Sequence, residues 1–375
     1  MITHPKVLVY TRTFFICIRK EQVMKKGIHL TTFKGETCIA MEYDNYRGLL
    51  APSLGSNFLN LEETTHHVRF FHFKKGMPRR FLKKCNIIIG LPTTYLPNRL
   101  KDGILKTSDG IYHFPINETS RNNYLHGFLH TRFHKILSME EKEDCVIAKT
   151  YYEYDENDAF FPYFPLKFRV DFTFSLSKEG LYYEVNLKNL SEHMLPFGFG
   201  THTTLSCPFV KRQKKKEGKH YRFYLPVQHR YHLNKRCLPD GSYHELSEYE
   251  QQYAEGTAKP VGHDINDELY RLMETTKNSY QSIVTDTRTG LSIVNEVSKE
   301  YGFYILWNIG GKQDFFCPEP LTWLIDAPNL SLPKEETGYR ELKPQESAMV
   351  WQKFYLSQDL DTVQHKQQQD LPLKS

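Results

Sequence analysis

No stretch limits the fold of this chain more than residues 170–188. Residues 170–176 (VDFTFSL) alternate apolar and polar side chains with period two, SKEG at 177–180 supplies a turn, and residues 181–188 (LYYEVNLK) alternate again. Successive side chains on a strand point to opposite faces, so this pattern describes an antiparallel hairpin with one face buried and one in water. Shorter segments of the same character recur at 87–89, 111–114, 221–225, 291–294 and 303–307, separated by Gly, Asn, Asp and Pro turn signals. Helical signal is confined to 267–273 and 245–253, and neither a repeat of solenoid length nor a long linker divides the chain. The expected fold is all-β, a large antiparallel β-sandwich with few short helices, forming one domain over residues 24–360.

Composition agrees with that class and narrows the functions. Apolar residues make up 39% and aromatics 14% of the 375 residues, enough for a large core, while stretches rich in Ala, Glu and Lys with helical period are scarce. The net charge of +5 is small for this length and the basic residues are scattered among acids, which argues against nucleic acid as a partner. The exception is KRQKKKEGK at 211–219, read as a solvated loop between two strands or, alternatively, as an attractor for a phosphorylated sugar. The seven cysteines are odd in number, widely spaced and never in CxxC, so they indicate neither a disulfide framework nor a thiolate zinc site and fit a reducing cytoplasm. No apolar stretch approaches the roughly 18 residues of a membrane span. The longest early one, 7–18, is broken by Arg12, and a soluble protein with no membrane partner is expected. Residues 1–23 precede a second methionine, Met24, from which the chain reads as an ordinary start; they are expected to be an extension outside the native domain, and 361–375 a polar tail.

Four places gather polar groups in settings suited to a cleft. The first is Asn98-Arg99, where the guanidinium offers a forked donor to hydroxyl groups. The second is Leu125-His126-Gly127. His126 and His130 are four apart, which on one strand face, or on a helix, is a spacing a metal could use, but no HExxH pattern or nearby carboxylate completes a site and none is expected. Gly127 instead suits close approach of a ligand to the backbone. The third is PFGFGTHTTL at 196–205, where glycines leave room into which His202 can project, the bland reading being a core histidine bonded to threonine. The fourth is FFCPEPLTW at 315–323. A carboxylate at Glu319, fixed between two prolines among apolar and aromatic residues, should be desolvated and its pKa raised, which is how a general base is tuned.

In order and spacing these pieces resemble the aldose 1-epimerase family, whose pattern runs Asn-Arg, Leu-His-Gly, Gly-x-His-Pro-Tyr-Phe, Asp-x-x-Phe, Glu-Pro and Asp-x-x-Asn. The chain shows Asn98-Arg99, Leu125-His126-Gly127, Gly200-Thr201-His202, Asp267 with Tyr270, Glu319-Pro320 and Asp326 with Asn329. The resemblance implies a galactose mutarotase-like supersandwich that opens and recloses a free hexose ring. Glu319 would be the general base on the C1 hydroxyl and His202 the general acid toward the ring oxygen. His126 would polarise the same region, Asn98, Arg99 and Asp267 would hold the remaining hydroxyls, and no cofactor or metal would be needed. Two departures stand out: His202 is followed by Thr203-Thr204-Leu205 and Gly127 by Phe128. Both are expected at the cleft, where they leave the identity of the sugar open and admit a sugar-binding or sensing protein without turnover. A polysaccharide-processing enzyme using Asp267 and Glu319 as paired carboxylates would leave His202 without a role.

Overall fold

The structure, a computed structural model, describes residues 25–358. The expected extension, 1–23, and the expected tail, 361–375, lie outside the described residues. The hairpin forms as its alternation requires: Phe168–Ser177 pairs antiparallel with Gly180–Asn189, and Ser177 opposite Gly180 leaves Lys178 and Glu179 as the turn. Phe168, Val170, Phe172, Phe174 and Leu176 are all fully buried. Each such side chain contributes about 1.5–3 kcal/mol by leaving water. This hairpin is the middle of an eight-stranded sheet that continues through Ser347–Ser357 and Leu291–Ser298 on one side and Cys145–Tyr154 on the other.

The buried face of that sheet is covered by two others. Phe174 meets Phe58 of a five-stranded N-terminal sheet with ring centroids 5.6 Å apart. Phe168 meets Tyr95 at 5.0 Å, and Gln352 donates to Thr201 Oγ1 at 2.5 Å, so the second eight-stranded sheet is seated on the same core. That second sheet runs in the order Pro239–His244, Val227–Leu233, Glu268–Leu272, Phe303–Trp307, Phe315–Leu321, Gly200–Thr201, Thr93–Thr94, with Leu205–Ser206 also on Phe315–Leu321. Its strand pairings are antiparallel as well. The all-β antiparallel sandwich expected from the alternation is the fold.

Some local expectations are overturned. Residues 87–89 are not a strand; Asn86–Ile88 is a single 3-10 turn. Residues 267–273 are not a helix; Glu268–Leu272 is a strand paired on both sides, and with Leu269, Tyr270 and Leu272 all buried the sheet outweighs the weak helical spacing. The basic run folds in part into a 3-10 helix, Lys215–His220, and none of its residues lines the cleft described below. The helix expected at 245–253 forms at Glu248–Glu255, closed by a reciprocal capping box between Ser247 and Glu250. Ser247→Ala is expected to lower unfolding free energy by about 1 kcal/mol in urea titrations, and an unchanged midpoint would show that this cap is dispensable.

Candidate active site

The strand Phe315–Leu321 lies inside a sheet yet carries Pro318 and Pro320, residues that cannot donate to a neighbour. Its partner on one side explains how. Gly200 and Leu205–Ser206 pair with it, but residues 201–204 between them make no ladder pair with it, and the prolines sit opposite that gap. The same interruption that tolerates the prolines brings His202 up to Glu319, with Nε2 3.2 Å from Oε1. Both side chains are buried, and both line a cleft of about 330 Å³ together with Asn98, Arg99, His126 and Asp267. All six residues expected at the site therefore meet in one place. The cleft is at the small end of ligand-binding cavities, which run about 300–1,000 Å³.

Three of these residues are held in the left-handed backbone region that non-glycine residues seldom adopt: Asn98 at φ 52°, His126 at 65° and Asp267 at 51°. Their clustering around one cleft marks a place where positioning outweighs local strain. The His126 backbone N–H donates to the Asn98 carbonyl at 2.7 Å, locking the two loops together and setting the His126 ring 5.4 Å from that of His202. His130 does not share a face with His126, since it sits in the 3-10 turn Leu129–Thr131. Among the described residues the one metal-like cluster of three is instead His202, Cys317 and Glu319.

Arg99 is buried and already engaged. Its Nε and one terminal nitrogen donate to Glu118 at 3.0 and 3.1 Å, and the other donates to Asp267 and to Asn98 Oδ1, each at 3.3 Å. Glu118 also accepts from Arg121 and Asn123. In this arrangement the guanidinium orients Asp267 at the cleft edge, and Glu118, which no sequence pattern singled out, anchors the guanidinium. Asp326 and Asn329 act one layer further back: Asp326 accepts from the Lys101 N–H at 2.9 Å and Asn329 donates to the Ile104 carbonyl at 2.7 Å, fixing the chain that carries Arg99. Trp307, 5.8 Å from His202 ring to ring, closes the apolar side.

Burial sets the electrostatics. Glu319 is raised well above the carboxylate range, first by desolvation and then by the charge of Asp267, with Arg99 opposing. Desolvation pushes His202 down to about 4 and His126 well below the usual imidazole value, the latter helped by its histidine neighbours. Burial thus favours the uncharged arrangement of the pair, with the proton on Glu319 and His202 neutral, and the 3.2 Å contact gives that proton a path to His202.

Two expectations about glycine and threonine need correction. A Cβ on Gly127 would lie 1.9 Å from the Tyr95 carbonyl oxygen, and one on Gly198 2.5 Å from the Trp323 ring, so Gly127 admits the protein's own backbone rather than a ligand and Gly198 the Trp323 ring rather than His202. Thr203 and Thr204 are fully buried and absent from the cleft lining; Thr204 Oγ1 donates to the His202 carbonyl at 3.2 Å. Phe128 is likewise in the core, 5.0 Å from Tyr154. The departures noted in the sequence lie behind the cleft, not in it.

Known proteins resemble this chain in sequence or fold. A family model described as Aldose 1-epimerase matches residues 38–355. A galactose mutarotase-like protein from Clostridium acetobutylicum is 26% identical and superposes with a TM-score of 0.84, over 88% of this chain and 98% of that one. The galactose 1-epimerase of Lactobacillus acidophilus NCFM is 13% identical with a TM-score of 0.66, covering 89% of this chain and 99% of its own, a likeness of fold alone. An uncharacterised Escherichia coli K12 protein, YihR, is 21% identical over 248 residues, 63% of this chain and 74% of its own.

Proposed function

Because this chain belongs to the aldose 1-epimerase family, we propose that it interconverts the α and β anomers of a free hexose by general acid/base opening and closure of the ring. The observation that carries the reading is the buried contact of Glu319 with His202 in a cleft edged by Asp267 and His126. Anomer exchange needs a proton removed from the C1 hydroxyl while another reaches the ring oxygen, then a rotation about C1–C2 and the reverse transfers. A pair holding one proton supplies both functions without net exchange with solvent. With the proton moved to His202, Glu319 takes the hydroxyl proton and His202 protonates the ring oxygen; on reclosure the roles reverse. His126, kept neutral by burial, offers a hydrogen bond to the same region, and Asp267 and Asn98 take the other hydroxyls. Only protons move, so the scheme asks for no cofactor.

The test is polarimetric relaxation of freshly dissolved α-glucose and α-galactose. Acceleration over buffer supports turnover; binding of a hexose without acceleration would favour a sensing role instead.

The pH profile gives a second check. The active state carries one proton on the pair. As pH falls, the second proton goes on at His202, which burial holds at about 4. Turnover, after subtraction of the buffer rate, is expected to stay level through pH 6.5 and to fall only on approaching pH 4, with an alkaline limb where Glu319 finally ionises. An acid limb centred near 6.5 would place His202 in a solvated environment and contradict the geometry.

A further inference from the structure

Cys317 stands two residues before Glu319 on the same strand, so both side chains leave the same face. Its Sγ, a ring nitrogen of His202 and a Glu319 oxygen all lie within 4.8 Å of one another, and all three residues are buried. The thiol has one hydrogen-bond partner, Thr204 Oγ1 at 3.6 Å, and no part in the proton transfers above. We propose that His202, Cys317 and Glu319 form a site for one thiophilic divalent cation of the zinc type, at which metal and sugar exclude one another. The mutual exclusion rests on the epimerase reading of the cleft; the metal site itself does not.

The donor set selects the metal. One imidazole nitrogen, one thiolate and one carboxylate suit a borderline-soft ion and disfavour magnesium or calcium, which want oxygen alone. Bond lengths of about 2.0–2.3 Å to these donors in a tetrahedron put ligand atoms roughly 3.3–3.7 Å apart. The His202–Glu319 separation of 3.2 Å already fits, and the thiol has to close by at most about 1.1–1.5 Å, within reach of a side-chain rotation. A dication between a thiolate and a carboxylate makes the buried cluster electrically neutral, which removes the penalty for burying charge. Since His202 and Glu319 line the cleft, the fourth coordination position opens into it, where a water or a sugar hydroxyl would sit. Both atoms that would move protons are then tied to metal, so occupancy stops turnover.

The experiment uses the full chain stripped of metal. Cobalt(II) is added as a coloured stand-in and thiolate-to-cobalt charge-transfer absorption is recorded, followed by calorimetric titration with zinc chloride. One ion per chain is expected, with the thiolate band present. In Cys317→Ser the band should vanish and zinc should bind more than about 100-fold more weakly, since loss of a ligand exceeds the effect of losing an outer-shell partner. Cys145→Ser, at a half-buried surface position, should change nothing. If Cys317→Ser fails to fold by near-UV circular dichroism, Cys317→Ala and His202→Asn take its place. Absence of a thiolate band in the wild type, or its survival in the folded Cys317 variants, overturns the site. Saturating hexose should weaken zinc binding, and zinc should abolish polarimetric turnover until a chelator is added. Zinc and hexose binding independently would overturn the exclusion. A chain that binds zinc through Cys317 yet turns over no hexose would leave the site standing and remove only the epimerase reading.

Discussion

Glu319→Gln is expected to slow enzyme-dependent mutarotation by about 10²–10⁴-fold while leaving the fold intact. Glutamine keeps the shape of the side chain and its place between Pro318 and Pro320, but it neither takes up nor releases a proton. His202→Asn should fall into the same range by removing the other end of the 3.2 Å contact. The two groups act as one proton-holding unit, so the double variant should be scarcely slower than either single one. Stability gives a separate readout. Burial raises Glu319 and obliges it to take up a proton on folding at neutral pH, which costs stability, so replacing it with an uncharged isostere should leave the urea midpoint unchanged or raise it. Polarimetric rates that survive either substitution within a factor of a few would move the chemistry elsewhere in the cleft. A multiplicative loss in the double variant would mean that the two side chains act in separate steps.

The parts of this molecule visible in its sequence are those whose physics is local. The alternation at 170–188 forces a hairpin because period two cannot satisfy a helix. The helical spacing at 245–253 shows because a helix is made by contacts within a few residues, though its cap at Ser247 and Glu250 is seen only in the structure. Glu319 could be picked out because its two proline neighbours fix the backbone and its aromatic surroundings imply desolvation. What stayed hidden depends on residues distant in the chain. The strand Glu268–Leu272 looks like a short helix until Val227–Leu233 and Phe303–Trp307 pair with it. The prolines at 318 and 320 make sense inside a sheet only once residues 201–204 are seen to make no ladder pair opposite them. Glu118 is an ordinary acid in sequence and becomes the anchor of the cleft through Arg99, 19 positions away. Gly127 reads as room for a ligand and Gly198 as room for His202 because a sequence shows that room is needed, not what fills it; Tyr95 and Trp323 do. Cys317 is a lone thiol until its strand neighbour and His202 fold against it.

Arg99→Met should be the most damaging single change to the scaffold of the site. The buried guanidinium lies between two half-buried carboxylates, Glu118 and Asp267, and satisfies both at once, while Arg121 and Asn123 are left to hold Glu118 if it goes. Removing one member of a buried pair leaves the other charge desolvated and costs about 3–5 kcal/mol, far more than any exposed ion pair on this surface. Methionine fills much of the space, so the loss reports charge and hydrogen bonding rather than a cavity. Chemical denaturation should show that loss directly, and a change under about 1 kcal/mol would mean that Arg121 swings in to replace the lost donor. Where the variant stays folded, hexose affinity should also fall, because Asp267 would lose the guanidinium that fixes its side chain while its own left-handed backbone, at φ 51°, remains strained without return. Affinity and stability should move together in Arg99→Met and separately in Glu319→Gln, and that contrast distinguishes a residue that positions the cleft from one that performs its chemistry.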